Sequence, residues 1–421
     1  MCNNNWKRNF LFLWAGQGFA LLSTSVLQFA LIWWLTEKTG SAITLSLATL
    51  ATFLPEIILG PFSGSIIDRT SRKNILVASA IGVAVVSFSL SRFFHQDAAL
   101  PVIVLAAILL RSMFNMIRWP TLEATAAQIV PRDHLTRTNA IDYTLRGLSG
   151  ILGPIVGAIL MQTTGMETLI LLDAVISLLG IIPLLWVTVP EVQTQKTSSL
   201  SLQHFFEHIK KEAKNGFYYI RKTPGLRTFL SYVSLTNLLL MPADSLLPLI
   251  VSTHFSGNAK AMSVIGVAFG TGTVLGSILL GVWGGFRSRI RSSISGDLLF
   301  GTGVLMIGLA SANQFSLAVL GWGLAGMGEA FSLANMNALI QANTHPQMSG
   351  RVLSISTSLI NLSIPVAMVI AAPAAELFGV NFFYVLSGVS VLVLSSVMLF
   401  TPAMFRYEYS FANAKTGKQT A

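Results

Sequence analysis

Long apolar stretches alternate with short polar ones along the whole chain. Twelve of them can cross a bilayer as a helix, which takes about 20 mainly apolar residues at about 1.5 Å of rise each. They run over 10–35, 43–67, 74–94, 100–122, 138–162, 168–189, 226–252, 262–284, 292–312, 315–342, 351–376 and 381–402. The punctuation is charged or turn-forming, as in TEKTGSA, DRTSRK, PRDHLTRT, FRSRIRS and HPQMSGR. The slightest break, between the ninth and tenth stretches, is only Asn313 and Gln314. Lipid offers no partner to a free backbone N–H or C=O, so open segments of this kind must be helical. The pattern predicts an all-α integral membrane protein with twelve transmembrane helices.

Composition agrees. Of 421 residues, 53% are hydrophobic and 10% charged, against about 25% charged in a soluble globular chain. A net charge of +10 raises the question of nucleic acid, and the location of the charge answers it. Taking the N-terminus as cytoplasmic, twenty-one of the 27 Lys and Arg residues fall on the inner side. Only Lys38, Arg92 and Lys260 fall outside, while Arg111, Arg118 and Arg146 lie within spans. Such a bias places both termini on the cytoplasmic side of the membrane and removes the main support for nucleic acid as a partner. The single cysteine, Cys2, lies outside every span and has no partner for an internal disulfide. The first apolar run is too long for a cleaved leader and has no small-residue cleavage site.

The longest polar stretch divides the chain into a six-helix bundle at 1–190, a cytoplasmic linker at 191–222, a second bundle at 223–402 and a cytoplasmic tail at 403–421. Within the linker Leu202, Phe205, Phe206, Ile209, Ala213, Phe217 and Ile220 recur every three or four residues with lysines between them. That is an amphipathic helix for the inner membrane surface. The same stretch carries HFFEH at 204–208, whose two histidines share a helix face as zinc ligands would. A lysine-rich surface segment supplies neither a third ligand nor a closed cavity, so no metal is expected. With no P-loop, ATP does not drive the protein directly, and no cofactor is expected.

The halves echo each other. GSIIDRTSRK at 64–73 ends the second span and GVWGGFRSRI at 281–290 ends the eighth; aligning Gly64 with Gly281 sets Arg72 on Arg289 and Asp68 on Gly285. Two parallel six-helix repeats would produce this. The spacing G-x-x-x-D-R-x-x-R-K, here Gly64, Asp68, Arg69, Arg72 and Lys73, resembles the signature loop of the major facilitator superfamily. Arg111 resembles that superfamily's intramembrane arginine. GILGPIVG at 150–157 is similar to the glycine-proline motif of its drug:proton antiporters, though Ala140 and Ser149 replace the usual glycines. NNWKRNF, WAGQ, LTEKTGSA, DRTSRK and SGRVLSISTSLINLSIP resemble Mef-type macrolide efflux proteins. The resemblance implies two pseudo-symmetric bundles and export of a macrolide-like drug in exchange for protons.

The loop has a physical reading of its own. Gly64 permits close helix approach. Asp68 can pair with Arg72 or take hydrogen bonds at a neighbouring helix N-terminus such as the one near Gly350, and Glu123 can hold Arg72. Contacts of this kind form in one conformation and break in the other, so Gly64, Asp68, Arg69, Arg72, Lys73 and Glu123 are read as a conformational latch.

Charges inside spans are costly, about 2.5–3.5 kcal/mol each on insertion scales, and mark function. Glu56, twelve residues before Asp68, lies about 18 Å from the inner boundary. Glu329 is likewise near the middle of its span, and Asp173 and Asp244 lie nearer the outer side. Low dielectric disfavours the charged form of a carboxylate, so Glu56 and Glu329 are the first candidates to load and release a proton. Asp142 and Arg146, one turn apart, are either an ion pair or further coupling residues. Arg111 needs an anionic or carbonyl partner, with Asp142 and Glu56 as candidates; it either tunes a carboxylate or anchors the bundle.

Gly150, Gly153, Pro154 and Gly157 in the fifth span and Gly266 and Gly270 in the eighth are small-residue faces. They are expected to meet and, by the resemblance, to seal one side. Gly272 and Gly276 repeat the spacing. Gln17, Gln28, Trp33 and Phe331 are candidates to line a bulky substrate cavity. The expected partners are a drug, protons and the lipid bilayer, with the chain acting as a monomer. Export of another amphipathic compound such as a siderophore, or service as the membrane module of an ATP-binding partner, is the alternative within the class. An intramembrane enzyme or receptor is the alternative outside it.

Overall fold

The computed structural model describes residues 6–130, 135–186, 218, 220–223, 225–343, 346–402 and 404–408. Among these residues the helices run in order: α1 Trp6–Thr39, α2 Ala42–Arg69, α3 Arg72–His95, α4 Pro101–Ile129, α5 Leu135–Thr163, α6 Gly165–Leu179 and α7 Ile182–Trp186. Then come α8 Leu226–Ser245, α9 Leu247–Thr253, α10 Ala259–Trp283, α11 Arg289–Leu309, α12 Phe315–Asn343, α13 Pro346–Phe378 and α14 Val380–Leu399. Ten helical stretches are long and apolar enough to cross a membrane; the bent pair α8–α9 makes an eleventh, and Gly147–Thr163 of α5 is a shorter apolar helix. The twelve expected spans are therefore accounted for, the ninth and tenth separated by residues 310–314. Of the proposed linker only residues 218 and 220–222 are described, Ile220 being buried in the apolar cluster of the second unit rather than laid on a surface; HFFEH and the rest of the linker helix lie outside the described residues.

The polarity of α3 shows which solvent its outer face meets. Leu76, Ser79, Ala80, Val83, Ser87 and Leu90 form its buried stripe, while Ile81, Val85 and Phe88 are exposed. Hydroxyls inside and bulky apolar groups outside is the reverse of a water-soluble helix, and suits hydrocarbon.

Two spans that the sequence presents as continuous are broken, each beside a proline. Pro183 cannot donate to the carbonyl of Leu179, and its ring opposes continuation, so α6 stops and α7 begins anew. Pro248 likewise deprives the carbonyl of Asp244 of its donor, and α8 meets α9 at 41°. At the turn between α1 and α2, Ser41 accepts from the Thr44 N–H at the start of α2, and Gly40, at φ +57°, closes α1 in the left-handed region, which glycine adopts without strain.

The chain forms two compact units, one of residues 1–196 with 257–267 and one of 197–256 with 268–421. In the first, Phe10, Leu13, Trp14, Leu76, Leu122, Val130 and Leu184 form an apolar cluster that joins α1, α3, α4 and α7. In the second, Leu226, Phe229, Ile290, Ile294, Met336, Leu339, Ile340, Met404 and Tyr407 belong to a cluster that joins α8, α11, α12 and 404–408. The first, third and fourth spans of each repeat contribute to both. The residues expected to begin a tail thus begin with a helical segment whose Met404 and Tyr407 are fully buried.

Candidate functional site

Arg72 is the first residue of α3, the positive end of that helix's dipole, and its guanidinium reaches away from it. Nη1 donates to the carbonyl of Ala124 at 2.6 Å, next to Glu123 and five residues before the end of α4, where the dipole is negative. Arg289, the first residue of α11, does the same, donating through Nη1 to the carbonyl of Ala338 at 2.7 Å. Ala338 also lies five residues before the end of its helix, α12. The alignment of Arg72 on Arg289 therefore corresponds to one interaction made twice. Lys73 is half-buried beside Arg72. The side chains of Asp68, Arg69, Glu123, Asp142 and Arg146, and the surroundings of Gly64, lie outside the description.

The deepest charges of the first unit form one network. Arg111 and Asp173 are an ion pair at 2.5 Å with 4% and 1% of their side chains exposed. Ser87 Oγ donates to Asp173 Oδ2 at 2.9 Å and also accepts from Arg111. Ser23 Oγ donates to Asp173 Oδ1 at 2.9 Å. Residues of α1, α3, α4 and α6 thus enclose one carboxylate, whose remaining lone pairs the hydroxyls satisfy. The partner of Arg111 is Asp173, rather than Asp142 or Glu56: Asp173 projects from the neighbouring face of the bundle at the same depth. Two turns along α4, Arg118 donates through Nε and Nη2 to Gln17 Oε1 at 2.8 and 2.6 Å. Gln17 Nε2 in turn donates to the carbonyl of Gly180 at 3.2 Å, at the break before α7. One amide therefore satisfies a buried cation and a freed backbone carbonyl together.

In the second unit Asp297 and Glu329 have no salt bridge to a cation among the described residues. Asp297, on α11, accepts from the Tyr232 hydroxyl at 2.6 Å, and that hydroxyl also meets Ser395 Oγ at 2.9 Å. Their helices, α8, α11 and α14, are the counterparts of α1, α3 and α6. Asp297 is not among the acids singled out from sequence; its signal is an acid between Gly296 and Leu298 in an otherwise apolar run. Glu329 on α12 is half-buried, and Asp244, at the bend of α8, lies within electrostatic reach of it. The Tyr384 hydroxyl donates to the carbonyl of Ala243, beside Asp244.

Glu56 is exposed, and at 100° per residue it shares a stripe with buried Leu45, Ser63 and Ile67, opposite exposed Leu47, Leu54 and Ile58. Its carboxylate therefore does not point to the apolar face. Of the residues expected to line a cavity, Gln17, Trp33 and Phe331 are buried. Gln17 is spent on Arg118, and Trp33 Nε1 donates to Glu37 at 2.7 Å. The Phe331 ring lies 6.3 Å from that of Trp283, tilted by 38°. Gln28 is half-buried and donates to Thr52 at 3.1 Å.

The glycines divide likewise. A Cβ on Gly153 would lie 2.8 Å from Ser25, and one on Gly157 2.7 Å from Phe29, so these two admit α1. Gly150 meets nothing within 4 Å, while Gly266 faces Pro154 at 3.6 Å within the first unit. Gly270 is half-buried. Gly272 and Gly276 lie against Gly323 and Met327 of α12. Among the described residues, no three His, Cys, Asp or Glu side chains are grouped as metal ligands.

Comparison with known proteins places the chain. The profile of the Major Facilitator Superfamily matches residues 13–244 and 228–418. Macrolide efflux protein A of Streptococcus pyogenes is 30% identical over 396 residues, 94% of this chain and 96% of that protein. A protein of the same name from Enterococcus faecalis is 27% identical over 78% of this chain and 100% of its own. Among solved structures, a mutant of the nucleoside transporter NupG superposes with a TM-score of 0.72 at 13% identity, covering 95% of this chain and 100% of that one. The inward-open xylose transporter XylE from E. coli gives 0.65 at 14%, covering 92% and 95%. A profile over nearly the whole length, a relative at 30% identity and a shared fold lead to one conclusion: the chain belongs to the Major Facilitator Superfamily and is a multi-pass membrane transporter.

Proposed function

We propose that the protein exports bulky amphipathic compounds of the macrolide class across a bacterial cytoplasmic membrane in exchange for protons, by alternating access of its two bundles, with both termini cytoplasmic. The observation that carries the reading is the 30% identity, over 94% of the chain, to a protein named for macrolide efflux. The concentration of Lys and Arg on one set of loops supports the orientation.

Proton coupling rests on the acids of the spans. Glu329 and Asp244 lie near each other with no cation bonded to either among the described residues. Asp244 is exposed and Glu329 half-buried, and on this reading one of them takes up a proton on one side and releases it when water reaches it from the other. Glu56 is the second coupling candidate. Arg111, already neutralised by Asp173, anchors its bundle; Asp142 and Arg146 remain candidates for coupling. Coupling requires that drug and proton favour different conformations, because a ligand shifts an equilibrium only by its difference in affinity.

Asp68, Arg69, Arg72, Lys73 and Glu123, with Gly64, act as the latch of one conformation. The Arg72 bond to the end of α4 is its described part. Pro154 against Gly266, with Gly270 on the same helix, acts as the seal against uncoupled leak. Accumulation of labelled erythromycin in cells, with and without a protonophore, tests the whole reading.

A further inference from the structure

The second inner loop lacks the acid of the first. Where the first repeat has Asp68, the second has Gly285, at φ +76°. Around it Arg287, Arg289 and Arg291 gather at the start of α11, the positive end of the helix dipole. A carboxylate nevertheless stands there. Glu408 Oε1 accepts from the Arg289 backbone N–H at 2.6 Å, and Oε2 accepts from Ser288 Oγ at 2.5 Å. These are the N-cap residue and the first residue of the helix, so the acid satisfies one of the four N–H groups a helix leaves free. The segment that brings it is anchored. Met404 and Tyr407 are fully buried, Tyr407 stacks on Phe229 at 6.2 Å, and the Arg291 guanidinium lies 5.8 Å from the Phe405 ring.

We infer that Glu408 is the positioning carboxylate of a second latch: the segment after the last span supplies to the Ser288–Arg289 loop the acid that Asp68 supplies to the first. Resting on the latch reading above, this gives each repeat an arginine bonded to the next helix and an acid at the same loop. In the first repeat the acid comes from the loop, in the second from a segment more than a hundred residues away in sequence. Glu408 then holds the start of α11, and through Arg289 the end of α12, in one conformation.

The test uses the full chain with Cys2→Ser and a reporter cysteine, Ser293→Cys, at a position 1% exposed on α11. Maleimide labelling in membranes is read with and without erythromycin, beside efflux, membrane level and thermal midpoint. Glu408→Gln is expected to raise labelling about fivefold or more, the lower end of a coupling between two states. It should also make labelling insensitive to erythromycin and impair efflux, with Glu408→Asp restoring all three. Ser288→Ala should give part of the effect and add little to Glu408→Gln, because both remove the same contact; this keeps the test open if Glu408→Gln fails to reach the membrane.

A lowered thermal midpoint with parental, drug-sensitive labelling and parental efflux would make Glu408 a static cap and overturn the inference. Asp68→Asn, run in parallel, separates the two ideas. If it abolishes efflux while Glu408→Gln behaves as the parent, the first latch stands and the second falls. If it leaves efflux intact while Glu408→Gln shifts labelling, Glu408 has its role and the first latch does not.

Discussion

Arg111 and Asp173 are joined 2.5 Å apart in the interior of the first unit, sixty-two residues apart in sequence and with almost no exposed surface. Ser23 and Ser87 also donate to the carboxylate, so Asp173 is engaged on both oxygens, while Arg111 Nη2 is buried with no hydrogen-bond partner among the described residues. Removing one partner leaves an uncompensated buried charge, at a cost of about 3–5 kcal/mol. Asp173→Asn and Arg111→Leu should each markedly lower the thermal midpoint in detergent. The double substitution should cost less than the sum. Additive losses would show that the two side chains do not act on each other.

Gln17 serves two elements at once. Gln17→Leu takes the acceptor from Arg118 and the donor from the Gly180 carbonyl, each orphaned group worth about 1–3 kcal/mol. Loss of detergent stability is expected to exceed that of Gln28→Leu, which removes one half-buried bond to Thr52. Equal losses would contradict the relay from Arg118 to the break before α7.

Gly153 and Gly150 separate packing from spacing. Gly153→Ala would bring a Cβ within 2.8 Å of Ser25 and 3.1 Å of its backbone, whereas Gly150→Ala meets nothing within 4 Å. Overpacking of this kind costs about 1–3 kcal/mol. Membrane levels should fall for Gly153→Ala and hold for Gly150→Ala, as an immunoblot of membrane fractions would show. The reverse order would place α1 elsewhere.

The architecture was legible because an apolar run of spanning length has few alternatives once water is excluded. Pairing was not. Arg111 announced that it needed an anion, but Asp173 is set opposite it only because α4 and α6 both pack against α3 and α1. Gln17 and Trp33 looked like free polar and aromatic groups because their partners, Arg118 and Glu37, depend on rotamer and depth. The small-residue spacing in α10 foretold a close contact but not its partner, which for Gly272 is α12. The repeat was faintly legible in Arg72 and Arg289, and their matching bonds to Ala124 and Ala338 give it physical content.

The acids of the second unit carry the proposed coupling. Glu329→Gln keeps size and hydrogen bonding but removes the titrating proton. Export driven by an imposed proton gradient in vesicles should fall about tenfold or more, while exchange of drug without a gradient persists, as expected when the coupling group alone is lost. Glu56→Gln, measured alongside, identifies which carboxylate carries the proton. Full gradient-driven export in both variants would remove Glu329 and Glu56 from the coupling site.

The central claim, proton-driven export of a macrolide-like compound, meets its most direct test in cells that accumulate labelled erythromycin. Cells that make the protein should hold less of the label than matched cells without it, and a protonophore should erase the difference. Equal accumulation in the two strains would contradict export, and a difference that survives the protonophore would contradict its dependence on protons.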